Sequence, residues 1–183
     1  KHLITLCNAS EWVASRLAQH PILLDQLLDP RSLYQPLEAQ ALTDELHGFM
    51  NGIPADDLEQ QMDRLRQFKH AMVFRVAAAD IAGVIPVMVV SDYLTAIAET
   101  VLNQALTLAW LHMVSRYGRP LCTERASQRV VRFVIVGYGK LGGIELGYGS
   151  DLDLVFLHDS TGEDQQTDGK KSIDNQVFFA RLG

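Results

Sequence analysis

The chain has 183 residues, 48% of them hydrophobic and 21% charged, which is the ordinary composition of a globular protein with its own core. Its formal net charge of −6 argues against a nucleic-acid partner, because such partners need a basic face. No apolar run reaches the roughly 18 residues of a membrane span, and two distant cysteines, Cys7 and Cys122, are typical of reduced thiols in a cytoplasmic protein.

Residues 1–118 are predicted to be helical throughout. Ser10 stands where a side chain caps the start of a helix. A long amphipathic helix is predicted over residues 55–82, and Ser91 is predicted to cap a second long helix. Gly118 should end that helix, because glycine readily takes the left-handed conformation found after a helical C-terminus. This part of the chain therefore predicts an all-helical domain.

The rest of the chain changes in character. Residues 119–128 are polar and are predicted to form a connecting loop, and residues 129–183 an α/β part. Residues 160–171 contain no apolar residue and are predicted to be a mobile surface loop. Ser172 or Asp174 should cap a last helix. Because the chain starts without Met and stops within that helix, we expect it to be a piece of a longer protein.

One stretch contains the features that point to chemistry. Two apolar runs, at 133–136 and 151–159, flank the glycine-rich turn 137–143, and both are predicted to be buried strands. Asp151 and Asp153 lie two apart, so in an extended strand they would face the same side. Neighbouring carboxylates repel unless a cation lies between them. Hard oxygen ligands at this spacing suit a Mg²⁺ ion that also binds a substrate phosphate.

The glycine turn is suited to a phosphate. Glycines let the main chain approach an anion and direct its N–H groups at it, and a helix that began at Lys140 or Leu141 would add its positive end. Lys140 could supply a charge or could be an ordinary surface lysine. Ser150 could donate a hydrogen bond to a phosphate oxygen or could serve only to form the turn.

Other interpretations of the same residues exist. Gly137, Gly139 and Gly142 fit the dinucleotide-binding fingerprint, but the acidic residues come sooner than its usual distance of roughly 20 residues. The P-loop motif requires its lysine after the glycine pair, whereas Lys140 precedes it. A purely structural interpretation is a tight strand–helix–strand corner with solvated acids.

These residues carry a family resemblance. A glycine turn, a short helix and Asp-x-Asp on the next strand resemble the polymerase-β-like nucleotidyltransferases. The fuller pattern, 137–143 followed by Ser150-Asp151-Leu152-Asp153, resembles the glutamine synthetase adenylyltransferase family. Its members carry two nucleotidyltransferase domains, one that attaches AMP to a tyrosine of glutamine synthetase and one that removes it by phosphorolysis. The residues 137–139 and 146–148 resemble the attaching, C-terminal half.

The resemblance implies an α+β fold, in which a helical bundle precedes an incomplete nucleotidyltransferase core. It implies that Asp151 and Asp153 are catalytic and hold Mg²⁺. It further implies ATP as substrate, glutamine synthetase as protein partner and a PII-type signal protein as regulator. The residues expected to contact the triphosphate are Gly137, Gly139, Lys140, Gly142, Gly143 and Ser150.

Relatives of this superfamily use a third acidic residue on a later strand, for which residues up to Gly183 offer no convincing candidate. The chain alone is therefore expected to be inactive. The alternatives are a non-catalytic helical docking module, a dinucleotide-binding protein, and the adenylyl-removing half of the same enzyme. Arg75 and Asp80 interrupt an apolar stretch, either as a solvated flank or as an ion pair at the edge of the core. Alternatively, Arg75 faces the nucleotide or orders the carboxylate site from behind.

Overall fold

The computed structural model describes residues 2–27, 33–35 and 38–183. The helices are α1 His2–Ala9, α2 Glu11–Gln19, α3 Ala39–Met50, α4 Leu58–Ile81, α5 Val90–Tyr117, α6 Gly139–Gly142 and α7 Asn175–Leu182, with 3₁₀ turns at Pro21–Leu27 and Val87–Val89. The strands are β1 Pro120–Glu124, β2 Ser127–Val130, β3 Phe133–Tyr138, β4 Asp153–His158 and β5 Glu163–Thr167. The predicted α+β class is confirmed.

The chain divides into two compact units. Residues 1–102 and 143–151 form the first, which we call the helical unit, and residues 103–142 and 152–183 form the second, the mixed unit. The segment 143–151 is therefore grouped with helices that precede it by many residues, although its flanking segments belong to the mixed unit. The predicted domain boundaries at 118 and 128 are a separate matter and remain a prediction.

The helices of the helical unit begin and end where local chemistry directs them. The Ser10 hydroxyl accepts a hydrogen bond from the Val13 N–H at 3.3 Å, which confirms the predicted cap of α2. Asp57 caps α4 by accepting from the Gln60 N–H at 2.9 Å. Gly83, with φ of +65°, follows the end of α4. Phe68 in the middle of α4 is fully buried and belongs to the core of this unit.

Within the part predicted to be helical, Pro21–Leu27 forms a 3₁₀ helix. One helix prediction differs from the structure. Ser91 does not cap α5, because the 3₁₀ turn Val87–Val89 leads directly into a helix that already begins at Val90. A preceding helical turn supplies the backbone bonds that a capping side chain would otherwise provide. The predicted end of α5 at Gly118, where φ is +85°, is confirmed.

The mixed unit contains a three-stranded antiparallel sheet in the order β2-β1-β5. The prediction that 119–128 is a loop is wrong, since this segment forms β1 and the start of β2, joined by a two-residue turn. Arg125 and Ala126 in that turn have φ of 50° and 61°. Such hairpin turns usually carry Asn-Gly, so Arg125 and Ala126 provide no sequence signal for this one.

The prediction of a mobile loop over 160–171 is also wrong. Residues Glu163–Thr167 form β5, which pairs with β1 through its backbone. The strand has no apolar side chain except for the methyl of the buried Thr167, so hydrophobic patterning could not reveal it. Asp174 caps the last helix by accepting from the Gln176 N–H at 2.7 Å, which confirms one of the two predicted caps.

The second sheet has two antiparallel strands, β3 and β4, whose register runs from Phe133 opposite His158 to Tyr138 opposite Asp153. The prediction that both strands are buried is wrong for the described chain. Val134 is 52% exposed and Leu157 is 50% exposed. A pair of strands has two faces and two outer edges, and an apolar sequence does not determine whether anything covers them.

The core of the mixed unit is aromatic. Phe178 and Phe179 of α7 pack with Trp110 of α5, and the Phe133 ring stacks on Phe179 at 5.5 Å. This packing fixes the start of β3. It also fixes the end of β4, because His158 at that end pairs with Phe133. Among the described residues, no helix combines the length and the apolar character that crossing a bilayer requires.

A cluster of charges closes the far end of the β3–β4 pair. Arg129 and Arg132 donate to the Asp159 carboxylate at 2.9 and 2.8 Å, and the Arg132 main-chain N–H donates to it at 2.8 Å. Partial burial disfavours the charged carboxylate, but these hydrogen bonds outweigh it and hold the pKa of Asp159 well below its usual range. The strand pair is thus anchored at the end opposite the glycine turn.

Candidate functional site

The turn after β3 places a glycine against a carboxylate. Tyr138 pairs with Asp153, so Gly139 comes directly after the last residue pair of the strands. Gly139 has φ of +53°, and a Cβ added to it would fall on a carboxylate oxygen of Asp153. Only glycine combines this conformation with room for the carboxylate. The Asp153 side chain, at the start of β4, therefore lies over the main chain of the turn.

Two other glycines of the turn have packing roles. A Cβ on Gly142 would approach the Gly137 carbonyl oxygen to 2.7 Å, and a Cβ on Gly137 would approach the Leu141 side chain to 2.8 Å. Leu141 is buried, so the short helix α6 packs closely on the end of β3. The fold thus requires Gly142, which meets backbone, and favours Gly137, which meets the buried side chain of Leu141.

The helix within the glycine turn is too short to provide the positive helix end that was expected to face a phosphate. α6 contains only four residues, Gly139–Gly142, and so makes one turn. The helix begins at Gly139, one residue before the expected Lys140, and so few aligned peptide dipoles add little positive potential. Lys140 and Gly143 are both exposed, and Lys140 is the cationic residue within the turn.

Ser150 closes a turn of its own. Its hydroxyl oxygen accepts a hydrogen bond from the Gly147 N–H at 2.9 Å, and its main-chain N–H donates to the Gly147 carbonyl at 3.1 Å. The turn-forming role is therefore observed. The hydroxyl proton can still be donated to an oxyanion, since accepting a bond does not use it.

Asp151 does not lie in the strand. β4 begins at Asp153, and Asp151 and Leu152 precede it without regular structure. The prediction that both acids lie on one extended strand and face the same side is therefore wrong. Both carboxylates are exposed. Asp151 belongs to the helical unit and Asp153 to the mixed unit.

The segment that carries Ser150 and Asp151 is attached to the helical unit by Tyr148. Its hydroxyl donates to the Asp80 carboxylate at 2.8 Å, and its ring lies 5.1 Å from that of Trp12. Burial raises the pKa of Tyr148 above its usual value, and Asp80 raises it further. Sequence reasoning missed this role of Tyr148, because nothing local links residues 68 positions apart.

Arg75 is held within the helical unit. It is 5% exposed, donates to the Gln35 carbonyl at 2.8 Å and lies 3.8 Å from a Glu45 carboxylate oxygen. These contacts correspond to the ion-paired edge of a core, which was one of the two predicted roles.

The pairing of β3 and β4 excludes one alternative. Dinucleotide-binding folds join parallel strands by a crossover helix, whereas β3 and β4 are antiparallel neighbours. The dinucleotide-binding interpretation is therefore wrong, and so is the strand–helix–strand corner in its parallel form.

Comparison with known proteins agrees with the motif. The family model for glutamate-ammonia ligase adenylyltransferase matches residues 1–183. The chain belongs to the glutamate-ammonia ligase adenylyltransferase family. It is 58% identical over 181 residues to the bifunctional glutamine synthetase adenylyltransferase/adenylyl-removing enzyme of Thioalkalivibrio sulfidiphilus (strain HL-EbGR7). That alignment covers 99% of this chain and 19% of the relative, so the chain spans about a fifth of the relative's length.

The carboxylates of this chain can be compared with what a Mg²⁺ ion requires of its ligands. Asp151 and Asp153 offer exposed carboxylate oxygens, the hard ligands that Mg²⁺ prefers. Gly139 leaves the space in which the Asp153 carboxylate lies beside the main chain. Within residues 2–27, 33–35 and 38–183, no group of three or more His, Cys, Asp or Glu side chains is clustered to hold a metal. The donor types fit Mg²⁺, with at most two carboxylates from this part of the chain.

Proposed function

We propose that this chain is part of an enzyme that transfers AMP from ATP to a tyrosine hydroxyl of glutamine synthetase, with release of pyrophosphate. The observation that supports this most directly is the Asp153 carboxylate placed over the Gly139 main chain, at the end of the β3–β4 pair. The turn would bring an acidic ligand and the backbone N–H groups of a phosphate site close together. Family membership supports the reaction class.

Each residue of the proposed site has a defined part. Asp151 and Asp153 would hold Mg²⁺, which would neutralise charge on the triphosphate and assist ionisation of the attacking phenol. Lys140, which is exposed, would pair with a phosphate oxygen, and Ser150 would donate its hydroxyl proton to another. Gly139 would let the main chain approach the triphosphate, and exposed Gly143 lies just beyond α6.

Gly137 and Gly142 would contribute by allowing the turn to pack closely. Tyr148 would act as a positioning residue, since its bond to Asp80 holds the segment that carries Ser150 and Asp151. We propose that the chain alone does not transfer AMP, because relatives of the superfamily use a third carboxylate.

Partners and location are part of the same proposal. Glutamine synthetase is named in the description of the 58% identical relative. A PII-type regulator and a cytoplasmic location follow from the family resemblance. The net charge of −6 supports the absence of a nucleic-acid partner, and we propose no role at a membrane.

The test uses a longer protein that contains this segment, with Asp153→Asn and Asp151→Asn compared with Glu145→Gln. Glu145 is an exposed acid of the same segment and provides the matched loss of one charge. Labelled AMP transfer to glutamine synthetase should fall about 100-fold or more in each Asp variant, since electrostatic groups at a reacting centre contribute on that scale. Glu145→Gln should retain activity.

Two further measurements refine the result. The melting temperature of each Asp variant should stay unchanged or rise slightly, because removing one of two neighbouring negative charges reduces repulsion. Phosphorolysis of adenylylated glutamine synthetase, assayed in parallel, distinguishes the attaching half from the removing half. Near-normal transfer by either Asp variant would reject the proposed site.

A further inference from the structure

A small cavity lies inside the helical unit, and its lining includes no residue of the glycine turn. It is formed by α2, the 3₁₀ segment Pro21–Leu27, α4 and Tyr148, and its volume is about 100 Å³. One part of its lining is basic, with Arg16, Lys69 and His70. The other part is apolar and includes the aromatic rings of Trp12 and Phe74 and the side chain of Leu23.

Positive charge dominates this cavity. The His20 ring, at the end of α2, contacts the His70 ring edge-on at 4.0 Å. Burial lowers the pKa of His70 to about 4, and the neighbouring His20, Arg16 and Lys69 contribute to the lowering. Among the described residues that line the cavity, none is acidic. The Asp80 carboxylate accepts a hydrogen bond from Tyr148 of the lining, but it does not itself line the cavity, so the basic groups there favour an anion.

A metal cation is the alternative that two adjacent imidazoles suggest. Arg16 and Lys69 oppose it, because both add positive charge at the same place. In the described part of the chain, no third His, Cys, Asp or Glu joins these two rings in a ligand group. The electrostatics therefore favour an anionic ligand over a cationic one.

The size and the apolar part of the lining narrow the ligand further. A cavity of about 100 Å³ has room for a carboxylate or phosphate group with a few carbon atoms. The guanidinium of Arg16 already lies 5.4 Å from the centre of the Trp12 ring, so charge and aromatic surface are presented together.

We infer that this cavity is a binding site for a small organic anion, whose charged group contacts Arg16, Lys69 and His70 and whose short apolar part packs on Trp12 and Leu23. The ligand class is a monocarboxylate or a phosphate monoester of a few carbon atoms. Its lining shares no residue with the proposed nucleotide site.

Occupancy of the cavity has a structural consequence through Tyr148. This residue lines the cavity and also bonds to Asp80, and it precedes Ser150 and Asp151 by two and three residues in the chain. A bound anion would restrict Tyr148 and so reduce the opening of residues 147–151. Amide hydrogen exchange in that segment should therefore slow in the presence of ligand.

The first experiment measures binding of acetate, butyrate and sulfate to the 183-residue chain at constant ionic strength, by histidine-ring NMR shifts and calorimetry. Butyrate should bind up to about 15-fold more tightly than acetate, since each buried methylene contributes about fourfold. Arg16→Gln should weaken butyrate binding about tenfold or more. Arg64→Gln, at an exposed arginine of α4 outside the cavity lining, is the matched control and should change it less than twofold.

The second experiment uses sulfate, which keeps its double charge between about pH 4 and pH 7. Sulfate should raise the pKa of His70 from about 4, because the bound anion stabilises the imidazolium. By linkage, sulfate affinity should increase several-fold as the pH falls from about 6 to about 4. His70→Gln should reduce this dependence, and the double variant His20→Gln/His70→Gln should remove it, since both rings can bind a proton and lie 4.0 Å apart, while circular dichroism shows an intact fold.

The outcomes separate the parts of the inference. Binding that weakens in Arg16→Gln and favours butyrate supports the organic-anion site. Equal binding of acetate and butyrate overturns the role of the apolar lining. If none of the anions shifts the His70 signals more than chloride at equal ionic strength, or if Arg64→Gln weakens binding as much as Arg16→Gln, the site does not exist. None of these readouts depends on AMP transfer.

Discussion

Replacing Gly139 by alanine should affect both stability and the proposed site. The backbone at Gly139 has φ of +53°, a conformation that costs a residue with a side chain about 1–2 kcal/mol. The added Cβ would also fall on the Asp153 carboxylate. For a chain of this size, the strain predicts a melting temperature lowered by about 2–8 °C.

The effect on activity should be larger than the effect on stability. Moving a reacting group by about 1 Å can reduce a rate about 100-fold, and the Cβ would displace the Asp153 carboxylate from the turn. AMP transfer by a longer protein that contains this segment should therefore fall about 100-fold or more in Gly139→Ala. Gly139→Val, with its branched side chain, should lower ATP affinity at least tenfold.

Two variants distinguish backbone strain from the clash. Gly139→Asn introduces a residue that tolerates positive φ but still adds a Cβ. It should therefore be more stable than Gly139→Ala without being more active. Gly149→Ala is the matched control, because a Cβ there meets nothing within 4 Å. Thermal unfolding by circular dichroism and labelled AMP transfer measure the two effects. Full activity in Gly139→Ala would refute the placement of Asp153 as a functional ligand.

Three further predictions concern stability. Because the folded pKa of Asp159 is lowered, its stabilisation is present above the unfolded pKa of about 3.9 and is lost as the pH falls below that value. In urea unfolding, the free energy of unfolding should therefore fall less on acidification in Asp159→Asn than in the unchanged chain, and an equal fall would contradict this. Ala126→Gly should stabilise the chain by about 0.5–1 kcal/mol in calorimetry, since relief of positive φ exceeds the entropic cost of glycine; a lower melting temperature would count against it. Tyr148→Phe should cost about 1–2 kcal/mol, because it removes the hydroxyl bonded to the Asp80 carboxylate, and amide exchange of residues 147–151 should quicken; unchanged exchange would show that this bond does not hold the segment.

The sequence identified features that depend on local backbone chemistry. Ser10 and Asp174 cap helices because their side chains reach main-chain N–H groups two or three residues away. Gly83 and Gly118 end helices because glycine adopts positive φ without strain. The β3 and β4 strands were found from their apolar residues. The family was found from the glycine turn and the Asp-x-Asp pair.

The candidate site was found in part. The sequence located Asp153 and the glycine turn, but it could not show that Gly139 is needed because the Asp153 carboxylate lies where a Cβ would be. It assigned Gly137 and Gly142 to phosphate, which stays a prediction, and it could not show that both glycines also allow close packing within the turn. It placed Asp151 on the strand, which begins two residues later.

Only the tertiary structure decided the long-range relations. β5 exists because its backbone pairs with β1, and its polar side chains carry no trace of that pairing. The bond between Tyr148 and Asp80 joins residues 68 positions apart, and the cavity is lined by residues of α2, the 3₁₀ segment Pro21–Leu27 and α4 together with Tyr148. Caps and helix stops are determined by neighbours along the chain. Strand pairing, burial and cavities depend on which distant surfaces meet, and that depends on how all the segments pack together.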